Sequence, residues 1–447
     1  MRTVVIMGAG GRGLHDFNVA YRGDPNTRVA GFLTMDRSVG EEGRYAGALA
    51  GTLYPAGIPI WPEEELEQVL AATVADELVV ASQDLPHHEV MHVVSRGLAA
   101  GVNVTMLGPH ETMLRSHRHV IAITGVRTGV GKTAISRHIA ALLAGGGLRV
   151  AVVRQPSPVA DPRSPAALRL RSAAELADVT LPASARDEIL DTIELGFPVY
   201  TGLDTGRVVA QADEDADVLV WDGNGSDFPF LRPDLWIAVV DALGSDDEPP
   251  HHPGEVNLRR ADVVVVNNVD SAGDERIQGV VAQVRVANPH ARVVLVESLV
   301  VLGSGAPLLG RRALVLEDAP ALLYGGHAIG AGVVAAREAG AACIVDPRPF
   351  AVGAVAQAFE RYPHLGPCLP LLDADGLEWG DVLRTIDAVD CDVLVAGAAV
   401  RPERLAGCAH PVRRVRLELR ERGTPTLQDA IASIERLARP MLTVVTS

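Results

Sequence analysis

Aromatic residues are scarce: Trp, Tyr and Phe make up 4% of the 447 residues, within a hydrophobic content of 48%. The core of a globular protein with this composition is built from Val, Ala and Leu rather than from rings. Positive charge is also short. Against 56 Asp and Glu stand 40 Lys and Arg, a net charge of −16, which argues against broad binding to nucleic acid or to anionic membranes. An anionic substrate would need local Arg and His clusters. Cysteine is rare, and Cys343, Cys368, Cys391 and Cys408 all lie in the last quarter without metal-ligand spacing. Reduced thiols acting as small core residues are expected. No apolar run reaches the length of a membrane span, and the N-terminus enters a strand with no basic-then-apolar leader, so a soluble cytoplasmic protein is expected. The 44 Gly and 29 Pro are spread along the chain and mark turns. Arg greatly outnumbers Lys, a bias from which no chemistry is drawn.

The stretch His119–Thr133, HVIAITGVRTGVGKT, carries the most information. The β-branched run Val120–Ile123 leads into a Gly-punctuated turn ending Gly131-Lys132-Thr133, and Ile135, Ile139, Leu142 and Leu143 then fall on one helical face. This is the context a phosphate-binding loop needs. Backbone N–H groups and a helix N-terminus meet the anion, Lys132 reaches the outer phosphates, and the Thr133 hydroxyl serves Mg2+. Val126 stands where the strict pattern has Gly. The fit is to the deviant loop with Arg127 at the signature lysine, or to the related loop of dethiobiotin-synthetase-like ligases. The nucleotide-binding set is Thr128, Gly129, Val130, Gly131, Lys132 and Thr133.

The length suggests about three domains, and the pattern divides accordingly. Residues 1–118 alternate strands with helices as a Rossmann-like, parallel, doubly wound sheet. Residues 119–312 restart with the phosphate loop, with later strands at Val150–Val153, Val218–Trp221, Leu235–Val240, Val263–Val266 and Val293–Val296. A helical insertion is expected from Ala160 to Asp187. Residues 313–447 form a third α/β unit.

Several constellations could carry chemistry. Gly8-x-Gly10-x-x-Gly13 follows a strand, and Asp36 lies beyond the next one, which is the form of a dinucleotide fingerprint. Arg12, His15, Asp16 and Asn18 crowd that turn, and suit a small multiply charged anion at least as well. Asp222 follows the strand Val218–Trp221, where phosphate-loop enzymes hold Mg2+; Asp227 is a second candidate. Asn267 and Asp270 stand where a base-reading loop would, although Asn268 replaces its Lys; a plain Asx turn is the alternative. His251 and His252 diverge as neighbours, so an active-site loop is favoured over a metal site. Arg348 and His364 lie in Pro-bounded loops and could complete an anion pocket. His87, His88 and His92 read as surface or packing residues.

Taken in order, these segments resemble the cyclic 2,3-diphosphoglycerate synthetase family over nearly all of the chain. The resemblance rests on Gly11-Arg12 with His15 and Phe17-Asn18, Leu53-Tyr54-Pro55, Leu107-Gly108-Pro109, Val126–Gly129 with Gly131–Thr133, Trp221-Asp222-Gly223, Asp227–Phe230, Pro253-Gly254-Glu255, Val345–Pro349 and Tyr362-Pro363-His364. It implies an ATP- and Mg2+-dependent ligase closing an intramolecular phosphoanhydride in 2,3-diphosphoglycerate. In that reading Lys132, Arg127 and Asp222 are catalytic, Thr133 and Asp222 hold Mg2+, and Arg12, His15, Asn18, Arg348 and His364 bind the phosphorylated metabolite in an interdomain cleft. A homo-oligomer is expected. The family has His at Gln155 and at Tyr324, Lys at Asn268, and Tyr-Ser-Asp at Ser82-Gln83-Asp84. Removing cationic or imidazole groups near a phosphate pocket weakens the hold on a highly charged anion and opens the alternative of the same ATP chemistry on a different small acidic metabolite. A metallochaperone-like GTPase and an NAD-dependent oxidoreductase are the remaining alternatives.

Overall fold

The computed structural model describes residues 1–34, 43–81, 84–155, 165–179, 181, 183–244, 251–305, 307–318, 322–323, 327–371, 377–397 and 400–438. Asp36, Ser82, Gln83, Tyr324 and part of the expected 160–187 insertion lie outside them.

The first unit holds strands β1 (Arg2–Met7), β2 (Thr27–Thr34), β3 (Arg44–Tyr45), β4 (Ile58–Pro62), β5 (Glu77–Val80), β6 (Leu85–Pro86) and β7 (Asn103–Thr105). Six of them form a sheet in the order β3-β4-β2-β1-β5-β7, parallel except for the β3–β4 pair. Val4 and Ile6 pack into one core with Phe17 and Phe32; Val5 and Met7 pack on the opposite face with Leu66 and Leu78. A continuous apolar run is what a parallel strand covered on both faces requires. The helix α1 (Gly11–Asp16) follows β1. Here the third glycine of the fingerprint is dictated by contact: a Cβ on Gly13 would lie 1.8 Å from the Gly8 carbonyl oxygen.

The central unit supplies β8 (His119–Gly125), β9 (Val150–Arg154), β10 (Leu168–Leu170), β11 (Val199–Thr201), β12 (Val218–Asp222), β13 (Leu235–Asp241), β14 (His251–His252), β15 (Val263–Asn267) and β16 (Arg292–Leu302). The last unit adds β17 (Arg312–Asp318), β18 (Cys343–Ile344), β19 (Leu369–Leu371), β20 (Val393–Ala396) and β21 (Val412–Arg422). One sheet runs through both, in the order β10-β11-β9-β12-β8-β13-β15-β16-β21-β20-β17-β18, with β19 also beside β17. The junction is β16, whose first half pairs in parallel with β15 and whose second half pairs antiparallel with β21.

The strand β8 lies at the middle of its half of this sheet, between β12 and β13. The helix α2 (Lys132–Gly145) covers one face through Ile135, Ile139 and Leu143, a stripe at i, i+4, i+8. The helix α3 (Gly254–Arg260) follows β14, and α4 (Leu427–Ala438) returns from the last unit to pack Leu427, Ile431 and Ile434 into the core beneath α2. The segment from 165 to 194 is mixed: β10 pairs antiparallel with β11, ahead of short helices at Ala173–Ala177 and Ala183–Glu194.

Candidate active site

The turn after β8 has the geometry of an anion seat. Gly129 and Gly131 take φ values of +85° and +94°, a conformation glycine adopts without steric cost. A Cβ on Gly131 would lie 2.3 Å from the Asn267 amide nitrogen, which donates to the Val130 carbonyl at 3.1 Å. Asn267 in turn accepts from Ser298 at 2.8 Å. Asp270 accepts from the Ser298 backbone and the Ser271 hydroxyl, each at 2.7 Å. Asn267 therefore holds the rear of the loop, and Asp270 holds Ser298, which braces Asn267. Val130 is fully buried, which anchors the turn.

Lys132 opens α2, and it is the one lysine in the chain. Everywhere else the positive charge is carried by arginine. A compact ammonium at this position suits a point contact to phosphate that a planar guanidinium does not reproduce. Lys132 is buried, and its Nζ donates to the Arg127 carbonyl at 3.3 Å. Burial lowers its pKa, opposed by the charges of Asp84 and Asp222. Arg127 lies against Asp241 at 3.9 Å, and Asp241 also meets His327 at 3.4 Å and Asn268 at 2.8 Å. Burial works against ionisation of Asp241, but His327 and its other hydrogen bonds outweigh it and lower the pKa. Through His327 the last unit reaches Asp241, which in turn lies beside Arg127 of the phosphate loop.

Asp222 ends β12 in register with Ile123 of β8. One carboxylate oxygen accepts from Arg154 at 3.2 Å; the other, Oδ1, is buried with no hydrogen-bond partner among the described residues. An orphaned carboxylate oxygen next to the loop is a donor suited to Mg2+. Thr133 follows Lys132 at the start of α2. The described residues hold no cluster of three or more His, Cys, Asp and Glu side chains that could hold a metal ion.

Arg12, His15 and Asn18 come together where the first unit meets the central one. Arg12 is buried over the Phe228 ring at 3.4 Å, paired with Asp16 at 3.0 Å and Asp227 at 3.4 Å, and bound to the Leu107 carbonyl at 3.2 Å. Burial pushes the Asp16 pKa up to about 7 and that of Asp227 up to about 6, in spite of the Arg12 charge. His15 stacks on Phe230 at 3.9 Å between parallel rings. Burial, aided by the Arg12 charge, lowers its pKa to about 3. The neutral ring donates from Nε2 to the Thr112 carbonyl at 2.7 Å and accepts at Nδ1 from Thr205. Asn18 donates to the Leu203 carbonyl and accepts from Tyr45. In this structure all three side chains are spent on protein partners. Gln155 closes the same junction, donating to Asp227 at 3.0 Å and accepting from the Asn224 amide at 3.1 Å. It also fills the space over Gly11, where a Cβ would lie 2.6 Å from its amide nitrogen. The glycine turn of the dinucleotide fingerprint is thus covered by a side chain of the next unit.

Beside this junction lies a cavity of about 160 Å³, with Arg12, Ala81, Met106, Pro109, Phe228 and His252 among its lining residues. Burial, followed by the charges of His87 and Arg12, lowers the His252 pKa to about 4, so the ring is neutral near pH 7.

Arg348 and His364 sit apart from this cavity, in the last unit. Arg348 pairs with Asp346 and with the carbonyls of Leu365 and Gly366; His364 meets the Leu322 carbonyl at 2.8 Å. Gly366 donates to Ala328, next to His327, so these loops adjoin the contact with Asp241. Sequence reasoning assigned no role to Asp84, which reaches into the phosphate loop: it accepts from the Thr128 amide at 3.2 Å and from the Thr128 hydroxyl, and meets His251 Nδ1 at 3.3 Å. Arg154 was missed as well. Asp84 keeps the Asp of the family's Tyr-Ser-Asp segment, a signal that could have found it, whereas Arg154 carries no local motif; the pairing of β6 with β14 and of β9 with β12 brings them in.

A phosphate-loop-like turn, a strand-end acid beside it and a facing Rossmann-like unit give a multidomain α/β architecture of the kind found in ATP-using enzymes. No protein-family model matches the chain. Arginine synthetase ArcE of Thermococcus kodakarensis is 40% identical over 431 residues, covering 96% of each chain. The chain belongs to the family of that synthetase, which is related to cyclic 2,3-diphosphoglycerate synthetase. The cyclic 2,3-diphosphoglycerate synthetase of Thermococcus gammatolerans is 24% identical over 266 residues, covering 53% of this chain and 60% of that one. Among solved structures, LpxK from Aquifex aeolicus in complex with ATP aligns with a TM-score of 0.43 and 12% identity, over 77% of this chain and 95% of that one. No helix among the described residues is long and apolar enough to cross a membrane.

Proposed function

We propose that this chain is an ATP-dependent ligase of the arginine-synthetase type, acting on a small amino acid rather than on 2,3-diphosphoglycerate. The observation that carries this reading is the charge of the cavity. Among the described residues its lining offers one cation, Arg12, already paired with Asp16 and Asp227, and the adjoining His252 is neutral. The two phosphates of diphosphoglycerate bring roughly −3 to −4 at pH 7. Such an anion would meet no uncompensated positive charge there. A zwitterionic amino acid, with one carboxylate and one ammonium, suits a wall of one guanidinium, one carboxylate and apolar surface.

The chemistry follows from the product. To make arginine, a ureido oxygen takes the γ-phosphoryl group of ATP and ADP leaves; ammonia then attacks the ureido carbon, phosphate departs with the oxygen, and a proton is lost. Lys132 and the amides of the Thr128–Thr133 turn hold the transferring group, and Arg127 adds charge behind it. Asp222 and Thr133 are the residues that would hold Mg2+, which neutralises phosphate charge when bound. The rest is positioning of two reactants from facing units. The test incubates the purified chain with ATP and Mg2+, and with either citrulline plus ammonium or 2,3-diphosphoglycerate. Arginine and stoichiometric ADP should form in the first mixture. A cyclic phosphoanhydride from the second, with no arginine from the first, sinks the reading.

A further inference from the structure

We propose that Asp84 is an internal competitor for the phosphate seat, displaced when a nucleotide enters, and that its release couples nucleotide binding to the neighbouring cavity. The inference deepens the functional reading and rests on the 125–133 turn being a nucleotide-phosphate site.

Three observations carry it. First, Asp84 Oδ2 accepts from the Thr128 backbone amide at 3.2 Å and from the Thr128 hydroxyl. Amides of a strand–turn–helix loop are the groups that cradle phosphate, so the carboxylate holds one of the donors a phosphate would need. Its surroundings are those of a bound anion. Burial opposes the ionised form of Asp84, but hydrogen bonds from His251 and Thr128 and the Lys132 charge outweigh burial and lower its pKa.

Second, the anion comes from a different unit. Asp84 belongs to the first sheet's side of the molecule, whereas Thr128, Lys132, Gly225 and His251 belong to the central unit. The position of a Cβ on Gly225 lies 3.5 Å from Asp84 Cβ, so the residue is wedged between the phosphate loop and the turn that follows Asp222. Its backbone has φ +59°, a left-handed conformation uncommon outside glycine and tolerated best by Asn and Asp.

Third, the segment that carries Asp84 is continuous with the cavity. The residues just after it form β6, which pairs antiparallel with β14 in the register His251↔Pro86 and His252↔Leu85. Val80, Ala81, His252 and Pro253 line the cavity. A triphosphate and a carboxylate cannot share one seat, because both are negative and both need the same donors. Nucleotide entry therefore frees Asp84 and unpins the strand pair beside the cavity, where the second substrate is to be held. In the absence of nucleotide the carboxylate keeps the loop formed and its lysine neutralised.

The test measures equilibrium binding of ATP, ADP and AMP to the full-length chain and to Asp84→Ala and Asp84→Asn. Asp84→Ala should bind ATP about tenfold tighter, the scale of removing one like charge at contact range. The gain should shrink from ATP to ADP and vanish for AMP, since only the outer phosphates compete. ATP hydrolysis without a second substrate should rise in parallel. Asp84→Asn, which keeps size and one acceptor, should show the same ordering with a smaller gain, and it reads the competition should the alanine variant unfold. Unchanged or weaker ATP binding by a folded variant, or an equal gain for all three nucleotides, overturns the proposal. Failure of the nucleotide reading itself would show separately, as ATP binding that Lys132→Ala leaves untouched, and would take this proposal with it.

Discussion

Replacing Arg12 with alanine tests the charge balance at the junction of the first two units. One guanidinium, 5% exposed, sits between two carboxylates that are themselves buried. Removing one partner of a buried ion pair typically destabilises by about 3–5 kcal/mol, and the stack on Phe228 goes with it. The two acids soften the loss by taking up protons. Asp16 and Asp227 already have pKa values raised by burial to about 7 and about 6 with Arg12 in place, and Arg12 lowers both. An acid whose pKa is raised on folding adds stability below its unfolded value, near 4, and loses that contribution as pH rises through its folded value. In the parent this loss is complete by about pH 8. In the variant both folded pKa values move higher, so stability keeps falling above pH 7, by up to about 1.4 kcal/mol per pH unit for each acid still protonated. The assay is urea unfolding of parent and variant at pH 6, 7, 8 and 9 at constant ionic strength. The gap between the two curves should widen with pH. A gap that is constant from pH 6 to 9, or below about 1 kcal/mol throughout, would refute the picture of a cation neutralising two buried acids.

Lys132→Arg should cost about 10²–10³ in the rate of ADP formation, although arginine serves at every other basic position of the chain; turnover within a few-fold of the parent would remove the special need for an ammonium there. Asp222→Asn should raise the Mg2+ requirement by at least about tenfold, read as ADP formation against Mg2+ concentration, and an unchanged requirement would exclude Asp222 as the metal's carboxylate. Gly254→Ala should destabilise by about 3 kcal/mol, because its Cβ would lie 1.8 Å from the Val126 carbonyl oxygen in the backbone of the phosphate loop; a thermal melt matching the parent would contradict that contact. His15→Phe should leave the rate constant of the reaction unchanged while lowering thermal stability, since a neutral ring stacked on Phe230 and bonded to Thr112 and Thr205 works as a structural piece; a large loss in turnover at full stability would return His15 to the chemistry.

What the sequence disclosed depends on how local each signal is. Strand β8, the glycine turn and α2 are contiguous, so their burial pattern and special dihedrals are written in consecutive residues, and the apolar stripe Ile135, Ile139, Leu143 repeats at helical spacing. The backbone geometry of that turn is legible for the same reason. Arg12, His15 and Asn18 form a polar cluster in sequence, which reads equally as an anion site or as mortar between units. The difference lies in partners far along the chain: Asp227 for Arg12, Thr112 and Thr205 for His15, Leu203 for Asn18. No periodicity reports such partners. The same holds for β16, whose eleven residues span two pairing environments and so join the central and last units into one sheet. An alternation of strands and helices marks where a unit restarts but not which edge its neighbour extends.

The charge balance of the molecule gains meaning from the same contacts. A chain with net charge −16 that handles a nucleotide must keep its own acids from spoiling the anion seats, and here the acids are drawn into those seats instead. Asp84 sits on the Thr128 amide, Asp222 on Arg154, Asp241 beside Arg127, and Asp16 and Asp227 on Arg12. Arg12, Arg127 and Arg154 are thereby each held beside a carboxylate, and in the competition proposed above it is Asp84 that a phosphate displaces. Discrimination follows from that arrangement. Under the proposed function, Mg2+ arriving with a triphosphate would meet the unpartnered Oδ1 of Asp222, whereas a bare polyanion offers nothing to a displaced Asp84. Under the proposed function, this arrangement is expected to favour Mg2+-bound nucleotide over free phosphates, and a zwitterion over a bisphosphate in the cavity beside it.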